Sequence, residues 1–338
     1  MKNNLITIFI LLIPLFTVAQ KPSDYLPEKP GKWTYSSNIK RPGAEVAAFN
    51  KNLAVLAEWF HQNVPMLTNP KGFDLLATSF GIWDDDYKRN ACNYALRSEL
   101  NFDFQLFLSD LARGGKWVVE PPHYSFYINN TEGGHGTNPN WKYFSEQEYD
   151  PRGEKKYSAN QQKAINDAVT KMNGVFAVYP FIKEFAPGIK LYDGGNLIVF
   201  NPERPDFWLP VTVREMAEMY LEYYTQLKDE FMLPYIKKEK EGFSEDELNS
   251  PAFSGSDDRD ILRFNGKAEG LQFMRFNPEY WDRSLPPSAI QFVTLYYSEF
   301  SQKDKDEHFK NNGYPIYGNL IMHSIKLEEL AGLIMRNK

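Results

Sequence analysis

Cysteine is almost absent from this sequence of 338 residues, since Cys92 is the only one. A single cysteine excludes an intrachain disulfide, so the folded state must depend on its hydrophobic core. A chain of this length can bury a large core, either as one big domain or as two ordinary ones. A buried apolar thiol is the simplest interpretation of Cys92.

An excess of basic residues is also missing. Lys and Arg number 38 against 44 Asp and Glu, which gives a net charge of −6. The basic residues are scattered, whereas a nucleic-acid partner would require them concentrated on one face. The composition therefore predicts no nucleic-acid partner.

The usual catalytic signatures are lacking as well. The sequence has no G-x-S-x-G motif, and no two of its five histidines lie four residues apart on a predicted helix. The acidic clusters Asp84–Asp86 and Asp257–Asp260 do not match the twelve-residue calcium loop, so solvated turns are the preferred interpretation. No cofactor is indicated.

A long hydrophobic run occurs only at the start, from Leu5 to Phe16, after the positive charge of Lys2. Together with the small residue Ala19, this pattern predicts a secretory signal peptide over residues 1–19, too short for a permanent membrane span. An N-terminal anchor is the alternative. We expect an exported protein, periplasmic or extracellular, with no transmembrane span after cleavage.

The strongest pattern that is present runs from Tyr94 to Leu108, where apolar and polar residues alternate. A period of two predicts a half-buried strand of an antiparallel sheet. Similar patterns predict strands over Gly72–Trp83 and Trp117–Asn129, and the Pro121-Pro122 pair should place the last of these at a sheet edge or a bulge. An amphipathic helix is predicted from Gly43 to just before Pro65.

Two stretches suggest how the chain is divided. Residues 20–42 are rich in proline, so an extended surface segment without regular structure is expected there. The long Gly- and Pro-containing loop from Asn130 to Tyr157 is the best boundary between residues 43–150 and 151–338.

The second half opens with a helix capped by Ser158, and Thr212-Val213-Arg214-Glu215 is a capping box for a helix to Leu233, where Pro234 should end or kink it. The other elements predicted in this half are strands over Val175–Tyr179, Ile189–Tyr192 and Leu197–Phe200, a hairpin within Ile261–Phe276, a central strand over Ala289–Tyr297, a polar excursion over Ser301–Asn312, a strand over Ile316–His323 and a helix over Ile325–Met335. The fold class is α+β, with largely antiparallel, twisted sheets covered by amphipathic helices in two halves packed together.

Two kinds of candidate site follow. His123 and His135 could meet and bind zinc, although a polar edge residue and a loop residue are the alternative. Aromatic residues are abundant, with 25 Phe, 20 Tyr and 7 Trp. Those in loops could stack a sugar or an apolar ligand, or could simply cover a core. The candidates for ligand binding are Trp141, Tyr143, Trp208, Tyr280 and Trp281.

These observations favour an exported, soluble, non-enzymatic binding or structural module that uses aromatic loops. Its expected partner is a glycan, a small apolar ligand or another envelope protein. The competing hypothesis is a hydrolase of an envelope polymer, which would use Asp or Glu, or a metal held by His123 and His135.

Overall fold

The computed structural model describes residues 24–82, 94–109, 115–130, 141–142, 157–178, 181–253 and 271–336. The predicted signal peptide and residues 261–270 of the predicted hairpin lie outside these residues. Within them, no helix combines the length and the hydrophobicity that a membrane span requires.

The described strands form two sheets. They are β1 (Trp33–Ser37), β2 (Phe73–Gly81), β3 (Ser98–Leu106), β4 (His123–Ile128), β5 (Trp141–Lys142), β6 (Val175–Val178), β7 (Phe181–Ala186), β8 (Ile189–Tyr192), β9 (Asn196–Phe200), β10 (Trp208–Pro210), β11 (Gln272–Phe276) and β12 (Phe292–Tyr296). The larger sheet has the order β1-β2-β3-β4-β12-β9-β8-β7, and the smaller one has the order β10-β11-β6-β5. All pairs are antiparallel except β1 with β2.

The described helices are α1 (Ala44–Asn63), α2 (Pro65–Thr68), α3 (Ala159–Asn173), α4 (Val213–Leu227), α5 (Met232–Glu241), α6 (Glu245–Leu248), α7 (Gln302–Asn312), α8 (Tyr317–Ser324) and α9 (Leu327–Arg336). The chain is therefore a mixed α+β protein with a large, mostly antiparallel sheet and several helices, as the sequence predicted at this level. The larger sheet takes β1 from the proline-rich segment 20–42, β2–β4 from residues 43–150, and β7–β9 and β12 from residues 151–338.

The alternating stretch after Tyr94 forms a strand, but a shorter one than predicted. β3 covers nine residues, with its even-numbered side chains buried and its odd-numbered ones half-buried. Its ladder with β4 ends at the Ser98–Ile128 pair, and Leu96 N–H instead donates to the carbonyl of Pro287. The Arg97 carbonyl still accepts from the N–H of Ile82, and the chain at Leu96 is held by the loop around Pro287 instead of by β4.

Two predictions for the chain before the boundary loop were wrong. The proline-rich segment contains β1, which pairs in parallel with β2, because strand pairing does not require an alternating pattern in both partners. The Pro121-Pro122 pair does not put its strand at an edge. β4 begins after the prolines at His123 and lies inside the sheet between β3 and β12, so no proline interrupts its ladder.

Helix boundaries in the second half also needed correction. The Thr212 capping box is present, but α4 ends at Leu227, because Lys228 adopts a left-handed conformation with φ of 53°. Pro234 then lies in the first turn of the separate helix α5, where its missing N–H costs no hydrogen bond.

Three further segments were predicted wrongly or were not predicted. Residues 316–323, predicted as a strand, form the helix α8, and the polar excursion at 301–312 is the helix α7. A Ser301–Asp304 capping box starts α7. The edge strand β7 was not predicted, and most of its side chains are exposed.

The core consists of three clusters of buried residues. The first joins the even-numbered side chains of β3 with the apolar stripe of α1 and with α8 and α9. The second lies around α3 and α4. The third, the inter-sheet cluster, combines side chains of the larger sheet, such as Phe292, with side chains of the smaller one, such as Trp208.

Candidate functional site

Three of the predicted ligand-binding aromatics lie in the inter-sheet cluster. Trp208, Tyr280 and Trp281 are only 4%, 0% and 6% exposed. Phe207 contacts all three rings at centroid distances between 4.9 and 6.4 Å. Neighbouring protein groups therefore cover these ring faces, which matches the alternative interpretation that the aromatics cover a core.

Hydrogen bonds fix this cluster further. The Tyr280 hydroxyl donates to the carbonyl of Gln291 at 3.2 Å. The Arg204 guanidinium donates to the carbonyls of Tyr280 and Trp281 at 2.6 and 3.1 Å. Burial raises the pKa of Tyr280 strongly. These contacts hold the cluster as a packed core.

The remaining predicted residues are only partly described. Trp141 belongs to β5, where its backbone is paired with Ala177. Tyr143 and His135 lie outside the described residues. His123 is exposed at the start of β4, with Nδ1 3.4 Å from the carbonyl of Pro121. In the part of the chain that the structure describes, no group of three His, Cys, Asp or Glu side chains could hold a metal ion.

A different feature is a cleft between β4 and β12. These two strands pair only over Phe126–Leu295, Tyr127–Thr294 and Ile128–Val293. Beyond those pairs the ladder ends, and the hydroxyl of Tyr124 donates to the carbonyl of Tyr296 instead. Burial raises the pKa of Tyr124 well above its ordinary value, so it remains a donor at physiological pH.

The β4–β12 cleft has a volume of about 720 Å³, within the range typical of small-molecule sites. One wall comes from residues 117–125 and the other from Tyr296, Ser298 and Phe300. The segment before α8 and α8 itself supply further lining, including Tyr314, Tyr317 and Asn319. The cleft therefore joins segments that are almost 200 residues apart in the sequence.

Aromatic rings form much of the lining. Trp117 packs edge-on against Tyr314 at 5.8 Å, and Tyr314 lies parallel to Tyr317 at 6.2 Å. Tyr317 in turn stacks on the buried Phe104 at 4.3 Å. Tyr296 is 37% exposed. Trp117 and Tyr314 are only half-buried, and Tyr296 also reaches solvent, so a ligand can stack on these three rings, whereas Tyr317 is 4% exposed and supports them from the core.

The polar groups in the cleft are mostly uncharged. Asn319 is buried and donates to the carbonyl of Ser298 at 3.0 Å. His308 on α7 packs edge-on against Tyr314 at 5.3 Å, and desolvation lowers the pKa of its imidazole. Among the described lining residues, Glu120 is the one carboxylate, and no Lys or Arg is present.

The rim of the cleft contains an unusual backbone conformation. Glu120 has φ of 47°, in the left-handed region that non-glycine residues rarely adopt. It follows Val118 and Val119, which are 55% and 75% exposed, and it precedes the two prolines. Such conformations cost about 1–3 kcal/mol and are concentrated at functional sites.

A polar row of side chains lies behind Ser125, which lines the cleft. Ser125 Oγ is 2.6 Å from Glu99 Oε1 and 3.0 Å from Asn101 Oδ1. Asn101 Nδ2 donates to Asp103 Oδ1 at 2.8 Å. Burial raises the pKa of Asp103, an effect that outweighs the opposing influence of Asn101 and His123.

Sequence reasoning pointed to His123 but missed the rest of this site. The available signals were the Pro121-Pro122 pair and the aromatic residues at 296, 300, 314 and 317. Neither signal shows that β4 and β12 are neighbours, because the sequence of each segment does not determine which distant strand it pairs with.

No family model matches the chain, and comparison with curated proteins and with solved structures found no significant similarity. The function is therefore argued from the cleft.

Proposed function

We propose that this chain is an exported, non-enzymatic binding protein whose β4–β12 cleft holds an uncharged ligand with ring faces. A glycan is the first class to test, and a small apolar ligand is the second. The observation that carries this proposal is a cleft of about 720 Å³ with an aromatic lining and no Lys or Arg among its described residues.

The lining suits such a ligand for physical reasons. Aromatic faces stack against the apolar faces of sugar rings or against apolar molecules. A few polar groups then fix the orientation of the ligand, as Ser125, Ser298 and the imidazole of His308 could do here. An anionic ligand would find no Lys or Arg among the described lining residues, which makes phosphate-rich ligands a poor match.

The hydrolase alternative has weaker support. Hydrolysis of a glycan ordinarily needs two carboxyl groups on either side of the scissile bond, or an activated metal-bound water. Glu120 is the one carboxylate among the described lining residues. Any ligand that binds should therefore be recovered uncut, and a gain of reducing ends during incubation would favour the hydrolase instead.

The binding test begins with a glycan array, followed by a melting screen with soluble oligosaccharides and apolar small molecules. The best ligand is then titrated against Tyr296→Ala and Phe300→Ala. Each ring contributes about 0.5–1.5 kcal/mol when it stacks, so we expect the two changes together to weaken binding by about tenfold or more.

The matched control is Phe231→Ala, because Phe231 is an aromatic residue that is 80% exposed and is not part of the cleft lining. This variant should bind like the parent chain. A ligand whose affinity is unchanged in the Tyr296→Ala, Phe300→Ala double variant would show that the cleft is not the binding site.

Export and the division into two halves are also proposals. The apolar run from Leu5 to Phe16 behind Lys2 supports export to a periplasm or cell exterior. Expression of the full chain in a Gram-negative host, followed by fractionation and intact-mass measurement, should give a product shortened by 19 residues. The cluster around α3 and α4 takes its buried residues from 151–338 alone, which supports a separate second half covered by amphipathic helices.

A further inference from the structure

The start of α8 forms part of the wall of the β4–β12 cleft. Residues 315–319 all line the cleft, and α8 begins among them at Tyr317. Gly318 allows this close placement, because a Cβ there would lie only 2.5 Å from the ring of Tyr124. The first turn of the helix is therefore at the cleft.

The backbone N–H groups of this turn have no acceptor among the described residues. The first N–H groups of any helix find no partner within the helix, so a side chain, water or a ligand must supply one. At α4 a capping box does this, whereas Ile316 before α8 has no side-chain oxygen. No described residue accepts a hydrogen bond from the N–H groups of Tyr317, Gly318 or Asn319.

The side chain of Asn319 places an acceptor beside these donors. It is 4% exposed, and its Nδ2 donates to the carbonyl of Ser298 at 3.0 Å. Because a carbonyl oxygen only accepts, this contact fixes which end of the side-chain amide is the nitrogen. Oδ1 is then the other end, and no described residue donates to it. A buried acceptor without a donor is unfavourable, so this oxygen indicates a ligand that donates to it.

A secondary amide satisfies both requirements without a charge. Its carbonyl oxygen accepts from the N–H groups at the start of α8, and its N–H donates to Asn319 Oδ1. A carboxylate would suit the helix N-terminus but has no hydrogen for Oδ1. An ammonium group has hydrogens for Oδ1 but is disfavoured at the positive end of a helix. A sugar hydroxyl offers a donor and an acceptor from one atom, and the experiment below separates it from the amide.

We infer that the β4–β12 cleft selects a glycan that carries an acetamido group, with Asn319 and the start of α8 as the specificity-determining contacts. The acetamido carbonyl accepts from the α8 N–H groups, the acetamido N–H donates to Asn319 Oδ1, and the sugar ring stacks on the accessible aromatic rings of the cleft. This inference rests on the proposed function, because it names the kind of glycan that the cleft binds.

The first test compares chitotriose with cellotriose, which differ only in having an acetamido group or a hydroxyl at the second carbon of each ring. Isothermal titration of the full chain should show that chitotriose binds at least about tenfold more tightly. Equal affinities would overturn the inference and leave the proposed function standing. No binding of chitotriose would also overturn the inference, and the glycan array then decides on the proposed function separately.

A second pair of ligands tests the contact with Asn319 alone. The methyl glycoside of N-acetylglucosamine is compared with the methyl glucoside that carries an O-acetyl group at the same carbon. The ester keeps the carbonyl and loses the N–H, so it should bind at least about fivefold more weakly. Equal affinities would show that Asn319 Oδ1 does not accept from the ligand.

The bound group is located by ¹⁵N NMR. The backbone amide resonances of Tyr317, Gly318 and Asn319 should shift when chitotriose is added, because their N–H groups gain an acceptor. The control is the amide of Glu215, which already donates to Thr212 Oγ1 at 3.2 Å and is outside the cleft lining. Binding of chitotriose without a shift of the three α8 amides would overturn the inference.

The protein-side test is Asn319→Ala, which should abolish the preference for chitotriose over cellotriose. The matched control is Asn63→Ala, because Asn63 Nδ2 also donates to a backbone carbonyl, that of Trp59 at 2.8 Å, and Asn63 is outside the cleft lining. This control should keep the preference of the parent chain. A folded Asn319→Ala variant that kept the preference would overturn the inference, and if this variant does not fold, the ligand pairs and the NMR shifts decide.

Discussion

The inter-sheet cluster and the β4–β12 cleft are both aromatic, and they differ in whether protein covers the rings. In the inter-sheet cluster, Phe207 packs against five other rings at 4.8–6.4 Å. In the cleft, Tyr314 contacts Trp117, His308 and Tyr317, and Tyr296 remains 37% exposed. Aromatic abundance therefore indicates either a core or a binding surface, and the supporting strands decide which.

The strands explain the difference. β9 and β12 pair over five residues, and Ile198, Phe200 and Phe292 of these strands are buried in the inter-sheet cluster. β4 and β12 pair over three residues and then separate, so the rings beyond Leu295 have a cavity beside them. Two neighbouring strands of one sheet that separate partway along their length can thus leave a cleft between them, and no second domain is needed to form it.

The largest expected effect is in the covered cluster. Tyr280→Ala removes a fully buried ring together with its hydrogen bond to Gln291, and we expect the free energy of unfolding to fall by about 3–5 kcal/mol. Denaturant unfolding followed by tryptophan fluorescence measures this change. A loss smaller than about 1 kcal/mol would mean that the cluster is not a packed core.

A smaller effect is expected where the two strands separate. Tyr124→Phe removes the hydroxyl that donates to the backbone carbonyl of Tyr296. Because this carbonyl then loses its hydrogen bond, the free energy of unfolding should fall by about 1–2 kcal/mol. Tyr296→Phe is the control, because no described residue bonds its hydroxyl. If both changes had the same small effect, the Tyr124 contact would not stabilise the closed end of the cleft.

The open cleft should tolerate loss of a ring. Tyr296→Ala is expected to lower the free energy of unfolding by about 1 kcal/mol, because its side chain is already partly exposed. The same denaturant series as for Tyr280→Ala gives a direct comparison. Equal losses for the two variants would remove the distinction between a covered core and an open site.

Much of the larger sheet could be predicted because its signals are local. Leu100, Phe102 and Phe104 alternate with polar residues because only one face of β3 is fully buried. The turn between β8 and β9 requires a positive φ of 70° at Gly194, which glycine adopts without strain. The error at Ile316–His323 has a physical cause. A short apolar run is equally compatible with a strand and with a buried helix, and its packing in the core, with Gly318 close to the Tyr124 ring, decides between them.

The candidate site was harder to predict than the fold. Trp208 and Trp281 are residues of the type that stacks on ligands, which is why the sequence suggested a binding role. A single sequence does not show that packing between the two sheets will bury these rings. The cleft combines residues near 120, 300 and 315, so its existence depends on the placement of β12 beside β4. That long-range pairing has no local sequence pattern. The capping boxes at Thr212 and Ser244 do have one, because each joins residues only three positions apart.

The smallest expected effect concerns His308 in the cleft. Desolvation lowers the pKa of its imidazole below the ordinary value of 6.5, so the unfolded state binds the proton more readily than the folded state. Stability should therefore fall as the pH drops through and below that value, and the loss is complete below the folded pKa. Unfolding measurements between pH 7.5 and about 5 should show a weaker decline for His308→Gln than for the parent chain.

The control for this change is His323→Gln, because His323 is exposed on α8. The difference between the two variants over the same pH range cancels the carboxyl titrations that they share. A ligand in the cleft would cover His308 further and should steepen the decline in the parent alone. The same slope with and without ligand would place the bound molecule away from α7, and would limit the site to the β4 and β12 walls.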